Sequence, residues 1–191
     1  MAAVSLEELI EKDTESERHI PAAVFIERVE EFIGQRQATD VLTALQELYQ
    51  KYQLMQASMG QQKGALLGKL PDIVSCLSIV NHQIRQRDSD APDQDVRFQL
   101  ADQVYAKAKV PPGNAVCLWL GANVMLEYTL DEAKALLEKN EKNANLSLAS
   151  LEEDMAFLRD QITTTEVNIA RVHNFNVRLR QQQRAQAGEA K

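Results

Sequence analysis

Two long stretches of the sequence carry apolar residues at alternating steps of three and four positions, which is the spacing of a coiled-coil seam. The first stripe covers residues 41–84 and the second covers residues 130–172. A helix with such a stripe presents one narrow apolar face that another helix has to cover. The spacing therefore predicts two long helices packed against each other, and it argues against a wide globular core.

The two stripes match in one antiparallel alignment. Examples of the opposed pairs are Leu45 with Ile169, Met59 with Met155 and Leu77 with Leu137. Each stripe contains one extra step of four, a stutter, over residues 66–70 in the first and 144–148 in the second. A stutter locally unwinds a supercoil, so an antiparallel pair stays aligned only when both helices stutter at the same height, as these do. The seam also includes the polar residues Gln62, Asn140 and Thr165, which lower its stability and fix its register.

The segment GQQKGALLGKLP, residues 60–71, places glycines, lysines and a proline inside the first long helix. A Walker phosphate-binding loop needs four residues between its glycines and a serine or threonine after its lysine. Here only three residues separate the last two glycines, and a leucine follows the final lysine. Because the apolar stripe resumes in step afterwards, we predict a kink at Pro71 rather than a nucleotide site or a helix end.

Between the two stripes the apolar period changes to two, which is typical of β-strands. The segments DVRFQLA, QVYAKAKV, AVCLWL and NVMLEY read as four short strands, separated by residues that favour turns. They predict two β-hairpins in series, from which both long helices start. The predicted fold class is α+β, a long antiparallel coiled-coil hairpin of two helices joined by two β-hairpins, with a short N-terminal helix.

The predicted boundaries follow from the ends of each pattern. They are a disordered tail over 1–19, one domain over 20–181 and a disordered tail over 182–191, with a short helix at 21–34, coiled-coil helices at 39–87 and 129–181, and hairpins at 95–128. Pro21 and Gly34 bound the short helix, and Thr39 is the expected N-cap of the first long helix. TLDE at 129–132 has the capping-box pattern that starts the second.

Composition excludes several classes of function. The net charge is -7 and the cations are scattered, so we expect no nucleic acid partner. The two cysteines and three histidines show no metal-ligand spacing, so we expect no metal. After the N-terminal segment, no window approaches about 18 apolar residues, so we expect no membrane span. No nucleophile with a base and no cofactor loop is recognisable, so we expect no enzyme and no cofactor. The N-terminus has no targeting pattern, which predicts a soluble cytoplasmic protein, with a nuclear location also open.

The hairpins are too small to close a core, and hairpins without further strands are marginal in water. Exposed strand edges either aggregate or assemble, so we predict an obligate oligomer joined through these strands. The residues expected at the assembly surface are Val96, Phe98, Leu100, Val104, Val110, Val116, Leu118, Trp119, Leu120, Val124 and Leu126. Of these, Val116, Leu118 and Trp119 are expected to need cover from another chain.

The order helix, two hairpins, helix resembles the alpha-type subunits of prefoldin over about residues 20–178. The segments that carry the resemblance are IPAAVFIERVEEFI, VPPGNAVCLWLGANVMLEYTLDEAKALLEKN and SLEEDMAFLRDQITTTEVNIARVHNFNV. The resemblance implies a heterohexamer with one further alpha-type and four beta-type subunits, whose coiled coils hold unfolded actin and tubulin and pass them to the cytosolic chaperonin without ATP. It also implies the von Hippel-Lindau protein as a partner.

The resemblance further implies that clients bind at the coiled-coil ends formed by residues 40–55 and 162–179. Apolar residues there that lie off the seam are the expected client contacts: Leu42, Tyr49, Leu54, Val167, Phe175 and Val177. Single exposed apolar residues are also common on ordinary surfaces, so the alternative role of these residues is to thicken the coiled coil. The alternative function is a coiled-coil adaptor that recruits partners such as a ubiquitin-ligase subunit through AAVFIERVEEFI, residues 22–33.

Overall fold

The computed structural model describes residues 8–15, 20–34, 36–89, 93–111 and 113–189, of which 12–15 and 185–189 are described by their backbone alone. The elements in chain order are β1 (Ile10–Glu15), β2 (Pro21–Ala23), α1 (Val29–Ile33), α2 (Ala38–Asp88), β3 (Gln94–Ala101), β4 (Val104–Val110), β5 (Ala115–Gly121), β6 (Val124–Thr129) and α3 (Leu130–Glu189). The chain divides into two compact units. Unit 1 contains the residues up to Lys63 and those from Ala149 onward, and unit 2 is Gly64–Leu148.

The two long helices extend beyond their predicted bounds. Helix α2 begins at Ala38, so Thr39 lies within the helix and the N-cap prediction is wrong. Helix α3 continues to Glu189, and the C-terminal tail predicted to be disordered is therefore helical as far as that residue. Gln, Arg and Ala propagate a helix readily without a partner, which explains the extension. The capping box is present, because Thr129 Oγ1 accepts from the Glu132 amide at 3.3 Å and Glu132 Oε2 accepts from the Thr129 amide at 3.2 Å.

Residues 60–71 are helical throughout, with Pro71 inside α2. The prediction that the helix does not end at Pro71 is confirmed, and the segment forms no phosphate-binding loop. At Gly60, Gly64 and Gly68, a Cβ atom would meet nothing within 4 Å. Packing therefore does not require glycine at any of these three positions.

Helix α2 contains one 18-residue window with a mean hydropathy of 1.2, which by length and composition alone is apolar enough to cross a membrane. The prediction that no window approaches about 18 apolar residues therefore has one candidate window against it. A single window is weak evidence for a span, because core helices of soluble proteins meet the same criterion. In this chain only 6% of the window is buried.

In unit 2, the strands form two separate antiparallel hairpins, β3 with β4 and β5 with β6. The turn between β5 and β6 uses Ala122 and Asn123, whose φ angles of 48° and 60° are both positive. Positive φ at both central residues suits the right-handed twist of the flanking strands. The predicted hairpins over 95–128 are thus present, with β3 starting at Gln94 and β6 ending at Thr129.

The core of unit 2 lies where α2 and α3 meet the second hairpin. The buried residues are Val80, Leu130, Ala133 and Leu137, and Ile73, Leu77, Ile84, Val116, Leu118 and Tyr128 pack against them. These include the predicted seam pair Leu77 with Leu137. The guanidinium of Arg87 donates to both carboxylate oxygens of Asp131 at 2.9 and 3.4 Å, which ties the C-terminal end of α2 to the first turn of α3. These contacts require antiparallel helices.

In unit 1, the seam buries residues from both helices: Val41, Leu45, Leu48, Tyr52, Met59, Leu151, Leu158, Thr165 and Val172. Two polar contacts beside the seam, Tyr49 with Glu166 and Lys63 with Glu152, each at 2.8 Å, follow the predicted antiparallel register. Thr165 is buried as predicted, whereas Gln62 in unit 1 and Asn140 in unit 2 are exposed. The predicted seam residues Met155, Ile162 and Ile169 are only half-buried.

The N-terminal region differs most from its prediction. The helix predicted over 21–34 is helical only at Val29–Ile33, because Pro21–Ala23 form β2, and the segment to residue 28 is not helical. Gly34 ends α1 as predicted, with a φ angle of 51°. Within the tail predicted to be disordered, Ile10–Glu15 form β1 against β2, and Leu9 is buried. The rest of that tail, residues 1–7 and 16–19, lies outside the described residues.

Candidate functional site

The hairpins of unit 2 present apolar side chains to solvent. On the first hairpin, one face carries Val96, Phe98 and Leu100 and the opposite face carries Asp95, Arg97 and Gln99, as alternation along a strand requires. On the second, Trp119 is 67% exposed. The predicted assembly residues that are exposed are Val96, Phe98, Leu100, Val104, Val110, Trp119, Leu120, Val124 and Leu126.

Val116 and Leu118 do not need another chain to cover them. Both are half-buried and pack, together with Tyr128, against the buried helix residues of unit 2. Their strand therefore has one face on the core of its own chain and one face, with Cys117 and Trp119, in solvent. Sequence reasoning missed Tyr105 and Met125, which are also exposed on the hairpins.

The residues predicted at the helix ends lie in different places within unit 1. Leu42 and Tyr49 line one open cavity together with Glu166, Ile169, Ala170 and His173 of α3. Phe175 lines a second open cavity, between α1 and α3, with Arg171 and Arg178. Leu54, Val167 and Val177 are exposed and line neither of these cavities. The structure thus brings together Leu42 and Tyr49 but does not gather all six residues.

The hydroxyl of Tyr49 donates to Glu166 Oε1 at 2.8 Å. The hydrogen bond to this carboxylate, helped by the negative charge, raises the pKa of Tyr49 above its ordinary value. Tyr49 also lines the cavity together with Leu42 and Ile169. In unit 2, the Arg87 guanidinium lowers the pKa of Asp131, because its hydrogen bonds favour the charged carboxylate.

A second group of polar side chains, which sequence reasoning missed, faces the extended segment at residues 20–27. Gln161 and Asn168 of α3 are both buried and lie seven positions apart. Tyr52 of α2 is fully buried, and this burial raises its pKa to about 12. A polar residue repeated at heptad spacing beside an apolar stripe is a signal that identifies such a face.

Metal-binding groups are not part of this arrangement. Among the residues that the structure describes, no cluster of three or more histidine, cysteine, aspartate or glutamate side chains is placed to hold a metal ion. Cys76 and Cys117 are both free thiols, and both are exposed. The surfaces described above are therefore built from apolar contacts and hydrogen bonds.

Comparison with known proteins identifies the family. The family model described as "Prefoldin subunit" matches residues 52–175. The chain is 52% identical to prefoldin subunit 3 of Homo sapiens, covering 84% of this chain and 83% of that protein. It is 46% identical to prefoldin subunit 3 of Drosophila melanogaster, covering 85% and 83%. It is 38% identical to a probable prefoldin subunit 3 of Caenorhabditis elegans, covering 88% and 91%. With a match of this length and these identities, the chain belongs to the prefoldin subunit family.

Proposed function

We propose that this chain is a subunit of a hetero-oligomeric chaperone that holds unfolded proteins without ATP. Its hairpins join other prefoldin subunits, one further alpha-type and four beta-type, and its helix ends capture clients of the actin and tubulin kind for delivery to the cytosolic chaperonin. The proposed activity is binding rather than catalysis. We propose a cytoplasmic location, with a nuclear location also open, and we include the von Hippel-Lindau protein among its partners.

The apolar face of the hairpins is the observation that carries the assembly part of the proposal. Phe98, Leu100 and Trp119 are each more than half exposed, on strands whose outer edges have no neighbour among the described residues. An apolar surface with open strand edges favours association with further strands. Names of the relatives, which describe them as subunits, support the same conclusion.

The cavity lined by Leu42, Tyr49 and Ile169 supports the capture part of the proposal. Its lining combines apolar side chains with the polar groups of Glu166 and His173. A shallow surface of this kind accepts an apolar side chain of a client without enclosing it. Such a contact is weak by itself, so several subunits acting together are needed for a useful affinity.

The adaptor function loses its proposed docking element. The segment at residues 22–33 was expected to bind a partner, but Ala22, Ala23, Ile26 and Ile33 are buried within the chain itself. Only Phe25 among its large apolar residues is exposed. A partner would have to displace this segment first, so the structure favours the chaperone function.

Assembly is tested by co-expressing the chain with alpha-type and beta-type partner subunits and measuring the native mass of the purified complex. We expect a hexamer with the natural chain and its loss in the double variant Phe98→Lys and Trp119→Lys. The matched control is Leu67→Lys with Val74→Lys, which changes exposed apolar residues of α2 outside the hairpins. A chain that remains a monodisperse monomer beside all partners would contradict the proposal.

Client capture is tested by light scattering of unfolded actin diluted into the assembled complex. The triple variant Leu42→Ser, Tyr49→Ser and Phe175→Ser should suppress aggregation less well than the natural complex at equal concentration. Leu67→Ser with Val74→Ser is the matched control, because it removes exposed apolar groups of α2 from unit 2. Equal suppression by the triple variant and the control would remove these residues from the client site.

A further inference from the structure

Side chains of α2 and α3 bind the main chain of the extended segment at residues 21–27. Gln161 Oε1 accepts from the Ala23 amide at 2.8 Å, and Asn168 Oδ1 accepts from the Ile26 amide at 3.0 Å. Asn168 Nδ2 also donates to the Val24 carbonyl at 2.8 Å. The carboxamide of Asn168 therefore contacts one donor and one acceptor of the segment, as a neighbouring strand would.

Two further side chains extend this set of contacts at its ends. The Tyr52 hydroxyl donates to the carbonyl of Pro21 at 2.8 Å, and Arg171 Nη2 donates to the carbonyl of Glu27 at 2.6 Å. All five hydrogen bonds end on main-chain atoms of the segment. The hydrogen bonds therefore recognise an extended backbone, whatever side chains that backbone carries.

The spacing of the two amide residues matches that of an extended strand. Gln161 and Asn168 are seven residues apart on α3, which is about 10.5 Å at a rise of 1.5 Å per residue. Their partners Ala23 and Ile26 are three residues apart, which is about 10 Å in a strand. Two turns of α3 therefore advance by the same distance as three residues of an extended segment that runs parallel to it, so the two side-chain amides meet the main chain three residues apart.

Apolar contacts complete the site. Ile20 is 1% exposed and Ile26 is 3% exposed, and the small residues Ala22 and Ala23 between them are also buried. Phe25 points to solvent, with Arg171 over its ring at 5.2 Å from the centroid. The segment is thus held by two large apolar anchors, six positions apart, by hydrogen bonds from α2 and α3 to its main chain, and by pairing with β1. An unfolded protein offers many segments with these properties.

We propose that this groove, defined by Tyr52, Gln161, Asn168 and Arg171, is a binding site for extended apolar polypeptide segments and that residues 20–27 occupy it in cis. A segment of an unfolded client competes with the cis segment for the groove. The identity of the competitor as a chaperone client rests on the proposed function, whereas the existence of the site does not. A free segment binds only when it displaces the cis segment. The cis segment is a strong competitor, because its tether gives it an effective concentration in the millimolar range.

The test uses the full chain, assembled with its partner subunits, and a fluorescein-labelled peptide with the sequence IPAAVFIER, residues 20–28. The double variant Ile20→Asp and Ile26→Asp releases the cis segment, because buried carboxylates without partners are unfavourable, and it changes none of the four groove residues. By fluorescence anisotropy, we expect the peptide to bind the released variant at least tenfold more tightly than the natural chain. Equal binding to both, or no binding to the released variant, would overturn the proposal.

Variants of Asn168 in the released background identify the groove as the place of binding. Asn168→Leu keeps the branching at Cγ and removes both hydrogen bonds, so we expect at least tenfold weaker peptide binding. Asn168→Asp keeps the acceptor for an amide and loses the donor, so we expect an intermediate loss. Unchanged binding in Asn168→Leu would place the peptide elsewhere and refute the assignment.

Hydrogen exchange of the natural chain provides a measurement that does not depend on the released variant. The amides of Ala23 and Ile26 should exchange slowly without added peptide and faster when excess peptide displaces the cis segment. Unchanged exchange at saturating peptide would refute the competition. If the peptide binds the groove but the complex does not suppress actin aggregation, the proposed function fails and the site stands. If aggregation is suppressed but the peptide does not bind, the site fails and the proposed function stands.

Discussion

Replacing Gly60, Gly64 and Gly68 with alanine should stabilise this protein. The three glycines lie inside α2, and none has a positive φ angle. A Cβ atom at each would meet nothing within 4 Å, so the new methyl groups neither clash nor fill a cavity. The expected gain comes from the backbone alone, because glycine loses more conformational entropy than alanine when it enters a helix.

The magnitude follows from the number of sites. A single change from glycine to alanine in an exposed helix interior is worth about 1 kcal/mol. The triple variant should therefore gain about 2 to 3 kcal/mol, since the sites share no contacts that would couple them. For a chain of this size, that gain raises the midpoint of thermal unfolding by roughly 5 to 10 °C.

The assay is unfolding followed by circular dichroism at 222 nm, with natural and variant complexes at the same subunit concentration, because assembly shifts apparent stability by mass action. Gly34→Ala is the matched control. Gly34 has a φ angle of 51°, which is costly for any residue with a Cβ atom, so this change should lower the midpoint. A triple variant no more stable than the natural chain would refute the reasoning, and so would a stabilising Gly34→Ala.

Three further predictions concern single side chains. Tyr52→Phe should destabilise the protein by about 1 kcal/mol, because the hydrogen bond to the Pro21 carbonyl is lost. The pKa of Tyr52 in the folded chain is about 12, above the ordinary 10.0, so the natural chain should lose stability as pH rises from 10.0 towards 12. Denaturation profiles over this pH range should show a smaller loss of stability in the variant. Arg87→Met should raise the pKa of Asp131 in an NMR titration, and an unchanged titration would contradict the pairing. Because that pKa is lowered in the folded chain, the stabilisation by this pair should be lost only as falling pH protonates the carboxylate. Cys117 on β5 should react with maleimide in the isolated chain and be protected in the assembled complex. Cys76 on α2, also exposed, should react in both states and serves as the control. Equal labelling of Cys117 in the two states would argue against assembly through β5.

Much of the hairpin surface was predictable from the sequence. Alternation at Val96, Phe98 and Leu100 identifies one apolar strand face, and these residues are exposed in the structure. The same reasoning failed for Val116 and Leu118, because AVCLWL is apolar at every position and a continuous run does not show which face meets the core. Contact with the buried residues of α2 and α3 decides that choice.

The heptad stripes and the period of two determined by themselves that the chain has long antiparallel helices and two hairpins, because each pattern states which face of an element must be covered. They did not determine the conformation of residues 20–27, whose partners Gln161 and Asn168 lie more than 130 positions away. There the tertiary structure decided. Hydrogen bonds from α3 satisfy the extended main chain, and Ile20 and Ile26 are buried, so the segment does not continue the short helix that its local sequence favours.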